Sequence, residues 1–149
     1  MVAFVKFNKF VETVAAGIAG NMFTGSTDAF KIMLTNTAPT AATNKVYADV
    51  SGTEVTGGGA TGYTAGGNAA AFSTGAVTTG TLKLVLTSPT AWTASTDTMG
   101  PFRYAILYNS TPAAKPLIAF ADYGTSITLQ NTETFTVTLD GTNGVLTLA

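Results

Sequence analysis

Hydrophobic and polar residues alternate along several short stretches of the chain, with the period of two that marks a β-strand with one buried face. Residues 29–35 and 82–87 follow this pattern, and residues 69–77 are predicted to pair with the second of them. In residues 134–139 apolar side chains alternate with threonines, and we expect this stretch to form a hairpin with residues 145–149. Roughly eight to ten such strands, separated by turn residues, predict an all-β fold, an antiparallel β-sandwich or its jelly-roll variant.

The stretch from Gly100 to Gly124 is the most continuously apolar part of the chain. Its two arms flank a loop with two prolines, so it predicts an antiparallel hairpin that is buried on both faces. With Tyr108 opposite Leu117, the register places Arg103, the only arginine, directly opposite Asp122. We therefore predict a structural ion pair between these two side chains, which would fix the strand register.

Near the N-terminus, apolar residues are spaced three and four positions apart, as on one face of an amphipathic helix. They are Phe7, Phe10, Val11, Val14 and Ile18, and the glycines at 17 and 20 should end the helix. This short helix either packs on the sheet of its own domain or docks on a neighbouring subunit, and the spacing leaves both interpretations open.

The length of 149 residues suits one domain, so we predict a single β-sandwich domain over residues 1–149, with residues 1–10 as a contact arm. Terminal segments are a usual means by which small proteins reach their neighbours. The candidate inter-subunit contacts are therefore the apolar residues of the two termini: Val2, Phe4, Phe7, Phe10, Leu146 and Leu148.

The composition argues against several classes of function. Only 10% of the residues are charged, the net charge is −1 and the basic residues are scattered, so we expect no binding to nucleic acid. The chain has neither cysteine nor histidine, which removes thiolate chemistry, the usual zinc ligands and the histidine base of most hydrolase triads. We expect no metal, no cofactor and no enzymatic activity. Polar residues interrupt residues 1–10, so we expect no signal peptide and no membrane association.

Three carboxylates in the C-terminal third, Asp122, Glu133 and Asp140, are near enough in sequence to suggest a glycosidase pair. Each has a simpler explanation. Arg103 is the expected partner of Asp122, Glu133 opens a strand, and Asp140 begins an Asp-Gly turn.

Two further features attract functional interpretations. The glycine-rich residues 57–67 lack the spacing and the lysine of a phosphate-binding loop, and they are interpreted as a mobile loop that Tyr63 pins. Trp92, the only tryptophan, is interpreted as a core or edge anchor, with a sugar-stacking platform or an interface contact as the alternative.

Five stretches of the chain together resemble a family of small virion structural proteins of tailed bacteriophages. They are VKFNKFVETVAAGI, FKIMLTNTAPTAATNKVYADV, GYTAGGNAA, KLVLTSPTAWTAS and GPFRYAILYN, and the resemblance extends from Val5 to about Tyr123. It implies a capsid decoration or cement protein that binds the outside of the major capsid shell and stabilises it. It implies no catalytic residues.

The resemblance also sets expectations for partners and location. We expect the major capsid protein and further copies of the chain, as a dimer or trimer, to be the partners. The expected location is the capsid surface of the virion, after synthesis in the host bacterial cytoplasm. The alternatives are a glycan- or host-binding module of a tail fibre or head surface, which would use Trp92 and Tyr63, and a tail structural protein.

Overall fold

The structure is a computed structural model that describes residues 3–22, 25–56 and 58–148. The described chain is mainly antiparallel β-structure with one short N-terminal helix, which confirms the predicted all-β fold class and the predicted helix. Val2, one of the candidate contact residues, lies outside the described residues. The strands are β1 (Val5–Lys6), β2 (Phe30–Thr35), β3 (Asn68–Ala70), β4 (Phe72–Thr78), β5 (Thr81–Leu86), β6 (Trp92–Thr93), β7 (Met99–Asn109), β8 (Leu117–Leu129), β9 (Thr134–Phe135) and β10 (Leu146–Leu148). The helices are α1 (Asn8–Ala15) and the single turn α2 (Gly58–Thr61), and 3₁₀ turns cover Tyr47–Asp49 and Ser51–Thr53.

The strands form three antiparallel sheets. The largest has the order β1-β8-β7-β2-β3, the second has the order β10-β5-β4, and β6 pairs with β9. Buried side chains from all three sheets belong to one hydrophobic cluster, to which β2 contributes Ile32, β5 contributes Leu84 and β6 contributes Trp92. The arrangement of these sheets as a sandwich stays a prediction.

The central hairpin of β7 and β8 is the predicted one, with a register that changes along its length. Tyr108 lies opposite Leu117 as expected, but Leu107 pairs with Ala119 rather than with Ile118. Ile118 is therefore an extra residue in β8, a β-bulge, and its carbonyl accepts a hydrogen bond of 3.0 Å from the Phe7 N–H. The sequence pattern cannot reveal this bulge, because Ile118 is apolar and fully buried like its neighbours.

The N-terminal segment is part of the largest sheet and its core. Val5 pairs with Phe120 through β1, and Phe7 and Phe10 are both 0% exposed. The ring of Phe7 packs on that of Phe120, with 5.1 Å between centroids. The expectation that Phe7 and Phe10 contact another subunit is therefore wrong, because the protein's own sheet covers them. The described part of residues 1–10 is accordingly not a free arm.

The C-terminal segment also joins a sheet of its own protein. In β10, Leu146 pairs with Leu84 and Leu148 with Leu82 of β5. Leu146 is buried and Leu148 is half-buried against the core, so the expectation of an inter-subunit contact is wrong for Leu146. The predicted hairpin of residues 134–139 with residues 145–149 is also wrong. The first stretch contributes only β9, which pairs with β6. The second stretch forms β10, whose leucines pair with those of β5 instead.

Gly67 shows how closely the glycine-rich stretch packs on β2. Its φ is +72°, and an added Cβ would lie 1.8 Å from the carbonyl oxygen of Ile32. Gly80, in the turn between β4 and β5, also has a positive φ, of +82°, but nothing lies within 4 Å of its added Cβ. A comparison of the two glycines therefore distinguishes the cost of a positive φ from the cost of a clash with a neighbouring strand.

We expect Gly67→Ala to destabilise the protein by about 3 kcal/mol or more, and Gly80→Ala by about 1 kcal/mol. Both variants carry the strain of a positive φ, but only the first drives a methyl group into the backbone of β2. Urea unfolding of the two variants and the wild type measures the difference. Equal losses in the two variants would contradict the close packing of Gly67 on Ile32.

Candidate functional site

The predicted ion pair between Arg103 and Asp122 is present. Arg103 Nε lies 2.7 Å from Asp122 Oδ1 and Nη2 lies 2.8 Å from Oδ2, so the pair is bidentate. Tyr104, not Arg103, is the direct cross-strand neighbour of Asp122, because the bulge at Ile118 shifts the register by one residue. The hydrogen bond from Arg103 lowers the pKa of Asp122, as does a second one from the Gly124 N–H, and the carboxylate raises the pKa of Arg103.

A cavity of about 270 Å³ lies beside this ion pair. It is lined by Arg103, Ala105, Ala121, Tyr123, Thr136, Val137 and Thr138. Ala105 and Ala121 are a directly opposed cross-strand pair on β7 and β8, and their short side chains leave the space that larger side chains would fill. Residues 136–138 run along the other side of the cavity. The cavity could not be predicted from the sequence, because residues 136–138 belong to a segment outside the hairpin of β7 and β8.

Tyr123 is an exposed aromatic residue at this cavity, with half of its surface accessible. Its ring is held edge-on against Phe135, at 5.9 Å between centroids. By contrast, Trp92 and Tyr63 are each 1% exposed, so the proposed sugar platform on these two residues is wrong. Trp92 is a core anchor that packs near Phe135.

Helix α1 and the residues that follow it carry exposed apolar side chains, which we call the α1 outer face and define by Val11 and Val14 of the helix and Ile18 beyond its end. These side chains are 51%, 40% and 36% exposed, although the sequence pattern placed them on the same face as Phe10. The inward side of the helix is formed by Phe10 and Thr13 instead. Charged residues border the α1 outer face, where Glu12 pairs with Lys9 at 2.9 Å and with Lys45 at 3.2 Å.

The two chain ends meet at a groove of about 350 Å³. Phe4 and Lys6 line it from the N-terminal side and residues 143–147 from the C-terminal side. Phe4 is half-buried against the hydrophobic core, and Leu148 of β10 is packed in the same way. Among the predicted contact residues that the structure describes, Phe4 and Leu148 are the two that keep accessible surface.

The buried carboxyl group of Glu54 accepts three hydrogen bonds, and sequence reasoning missed it. Glu54 Oε1 accepts hydrogen bonds from the Tyr63 hydroxyl and, at 2.7 Å, from the Gly66 N–H, while Oε2 accepts one of 2.6 Å from the Tyr47 hydroxyl. The Tyr108 hydroxyl donates to the Gly66 carbonyl at 2.8 Å. Tyr63 thus pins the glycine-rich stretch, as predicted.

The environment of this cluster opposes ionisation of its tyrosines. Burial, and secondly the hydrogen bond to Glu54, raises the pKa of Tyr63 and of Tyr47. Burial, with the charge of Glu54 as the second cause, raises the pKa of Tyr108 to about 12. The neutral hydroxyl forms are therefore the ones that the folded protein holds.

The carboxylates that suggested a glycosidase serve local turns. Glu133 accepts a hydrogen bond from the Gln130 N–H, and Asp140 accepts from the N–H groups of Thr142 and Asn143. Among residues 3–22, 25–56 and 58–148, no three acidic side chains are grouped as a metal site would require.

No family model, curated protein or solved structure matches the chain. Within the part of the chain that the structure describes, no helix has the length and apolar character needed to span a membrane.

Replacing Asp122 by Asn should lower the melting temperature near neutral pH and matter progressively less in acid. The pKa of Asp122 is lowered in the folded state, so its stabilising contribution is present above the ordinary value of 3.8 and is lost as the pH falls through the folded value. Thermal unfolding from about pH 7 to about pH 2 measures this dependence. In a double-mutant cycle with Arg103→Ala, purely additive losses would contradict the ion pair.

Stability should fall as the pH rises above about 10. The tyrosines of the Glu54 cluster have folded pKa values above the unfolded value of 10.0, so the unfolded chain releases protons first, which lowers its free energy relative to that of the folded state. Urea unfolding between about pH 8 and pH 11 measures the loss. Tyr63→Phe should reduce the alkaline slope, whereas Tyr123→Phe, at an exposed position, is the control. An unchanged slope in Tyr63→Phe would be inconsistent with the cluster.

Proposed function

We propose that this protein is a non-enzymatic structural protein of a bacteriophage virion, a decoration or cement protein that binds the outside of the major capsid shell. The resemblance of residues 5–123 to small virion proteins supports this proposal. The observation that carries it is the α1 outer face, because exposed apolar side chains that are grouped together mark protein contact sites. The major capsid protein and further copies of the chain are the proposed partners.

The α1 outer face suits attachment to a large assembly. Covering the exposed part of each of Val11, Val14 and Ile18 would contribute about 1 kcal/mol. The Glu12 ion pairs beside the face give it a polar border, as the rims of protein interfaces have. An open depression beside Val11, lined also by Ala15 and Ala42, offers room for a side chain of the shell.

The number of copies in purified virions is the first test of this proposal. A cement protein follows the symmetry of the shell, so its abundance should approach that of the major capsid protein in gel densitometry. A tail-fibre module or a tail protein of low copy number would be present in a few tens of copies or fewer, as a matter of symmetry. Such a low count would contradict the decoration role.

Surface variants test the α1 outer face itself. We expect Val11→Ser combined with Val14→Ser to weaken binding to capsid shells that lack the protein by at least about tenfold, since roughly 2 kcal/mol of apolar contact is lost. Valine and serine have similar helix propensities, so the melting temperature should change little. Cosedimentation with shells measures the binding. Val77→Ser is the matched control, because Val77 is 54% exposed on β4. Equal binding of both variants would exclude this face as the contact.

A further inference from the structure

The cavity beside Arg103 has features of a small-molecule binding site, and it is separate from the surface proposed to attach to the shell. None of its seven lining residues belongs to α1 or to the α1 outer face. Its volume of about 270 Å³ is just below the roughly 300–1,000 Å³ typical of sites for drug-sized ligands, which suits a molecule the size of one sugar ring.

The surface of the cavity is divided between apolar and hydrogen-bonding groups. Ala105, Ala121 and Val137 supply apolar surface and are all buried. The polar lining residues are Arg103 with its guanidinium, Tyr123 with its phenol, and Thr136 and Thr138 with their hydroxyls. Polar groups placed beside apolar surface orient a ligand in a binding site.

Arg103 keeps hydrogen-bonding capacity for a ligand. A guanidinium has five N–H donors, and the bidentate pair with Asp122 uses the Nε donor and one on Nη2. The pairing also holds the guanidinium in a fixed orientation, which lowers the entropy cost of a further hydrogen bond. The remaining donors are thus presented by a preorganised group.

The charges favour a neutral ligand. The positive charge of Arg103 is offset by Asp122 in direct contact with it, and no other charged residue lines the cavity among the described residues. An anion would therefore gain little net attraction, and it would compete with Asp122 for the guanidinium. The affinity of an uncharged molecule with several hydroxyl groups does not depend on a net charge at the cavity.

The half-exposed ring of Tyr123 adds an aromatic surface. Its edge-on contact with Phe135 fixes the ring, and the exposed part is available to a ligand. The C–H face of a sugar ring packs on such an aromatic ring, while its hydroxyl rim suits the donors and acceptors of arginine and threonine. We infer that the cavity lined by Arg103, Tyr123 and residues 136–138 binds one ring of a neutral saccharide.

Titration of the full-length protein tests this site without any capsid component, so its outcome is separate from that of the decoration role. The probes are the methyl glycosides of glucose, galactose and N-acetylglucosamine, with glucuronate and inorganic phosphate as anionic competitors. Saturation-transfer NMR and calorimetry should detect a neutral glycoside with a Kd of about 1–10 mM, the range of a few contacts to one small ring. No neutral glycoside bound at about 50 mM would overturn the inference. Tighter binding of phosphate or glucuronate would overturn the choice of ligand.

Three variants connect binding to the cavity. We expect Tyr123→Ala to weaken binding of the glycoside about tenfold and Thr138→Val to weaken it a few-fold, and both positions are exposed. Ala121→Val should fill the space and abolish binding. If Ala121→Val does not fold, the first two variants still decide. Val77→Ala, on β4, is the control that should bind as the wild type does. Unchanged affinity in Tyr123→Ala and Thr138→Val would show that the sugar binds elsewhere and would overturn the assignment.

Discussion

The buried carboxyl group of Glu54 is the constraint on which much of the architecture depends. It joins the turn that carries Tyr47 to the glycine-rich stretch that carries Tyr63 and Gly66. Tyr63 in turn accepts a hydrogen bond from the Leu34 N–H of β2, at 3.0 Å. A buried polar network is stabilising only while its groups are all paired, so these segments must assemble together or not at all. Within the long connection between β2 and β3, the Glu54 carboxyl group therefore links Tyr47 to residues 63–66.

Local periodicity was sufficient to predict the parts of the fold that are made of neighbouring residues. The arms of β7 and β8, the strand β2 and the short helix α1 all follow from the spacing of apolar residues. The bulge at Ile118 did not, because an extra apolar residue in an apolar strand leaves the pattern unchanged. The pairing of β10 with β5 was also missed, since it depends on a competition between distant strands and not on the sequence of either one.

The same distinction applies to the candidate site. Arg103 and Asp122 were predictable as partners because a lone arginine and a carboxylate occupy facing arms of one hairpin. The cavity beside Ala105 and Ala121 was not predictable. Alanine in a strand suggests only a small core residue, and the cavity is evident only once residues 136–138 are known to line it as well. The exposure of Val11 was likewise not predictable. A helix of eight residues has too few turns for the spacing of its apolar residues to show which of two adjacent faces is buried.

The edges of the sheets bear on whether copies of the chain can pair through their strands. The largest sheet ends in β1 and β3, of two and three residues, and β10 at one edge of the second sheet has three. The longer edge strand β4 is interrupted by a register shift between Phe72 and Thr74. Short or irregular edges offer few consecutive backbone groups to a foreign strand. These edge strands therefore give a second copy of the chain few consecutive backbone groups with which to extend a sheet.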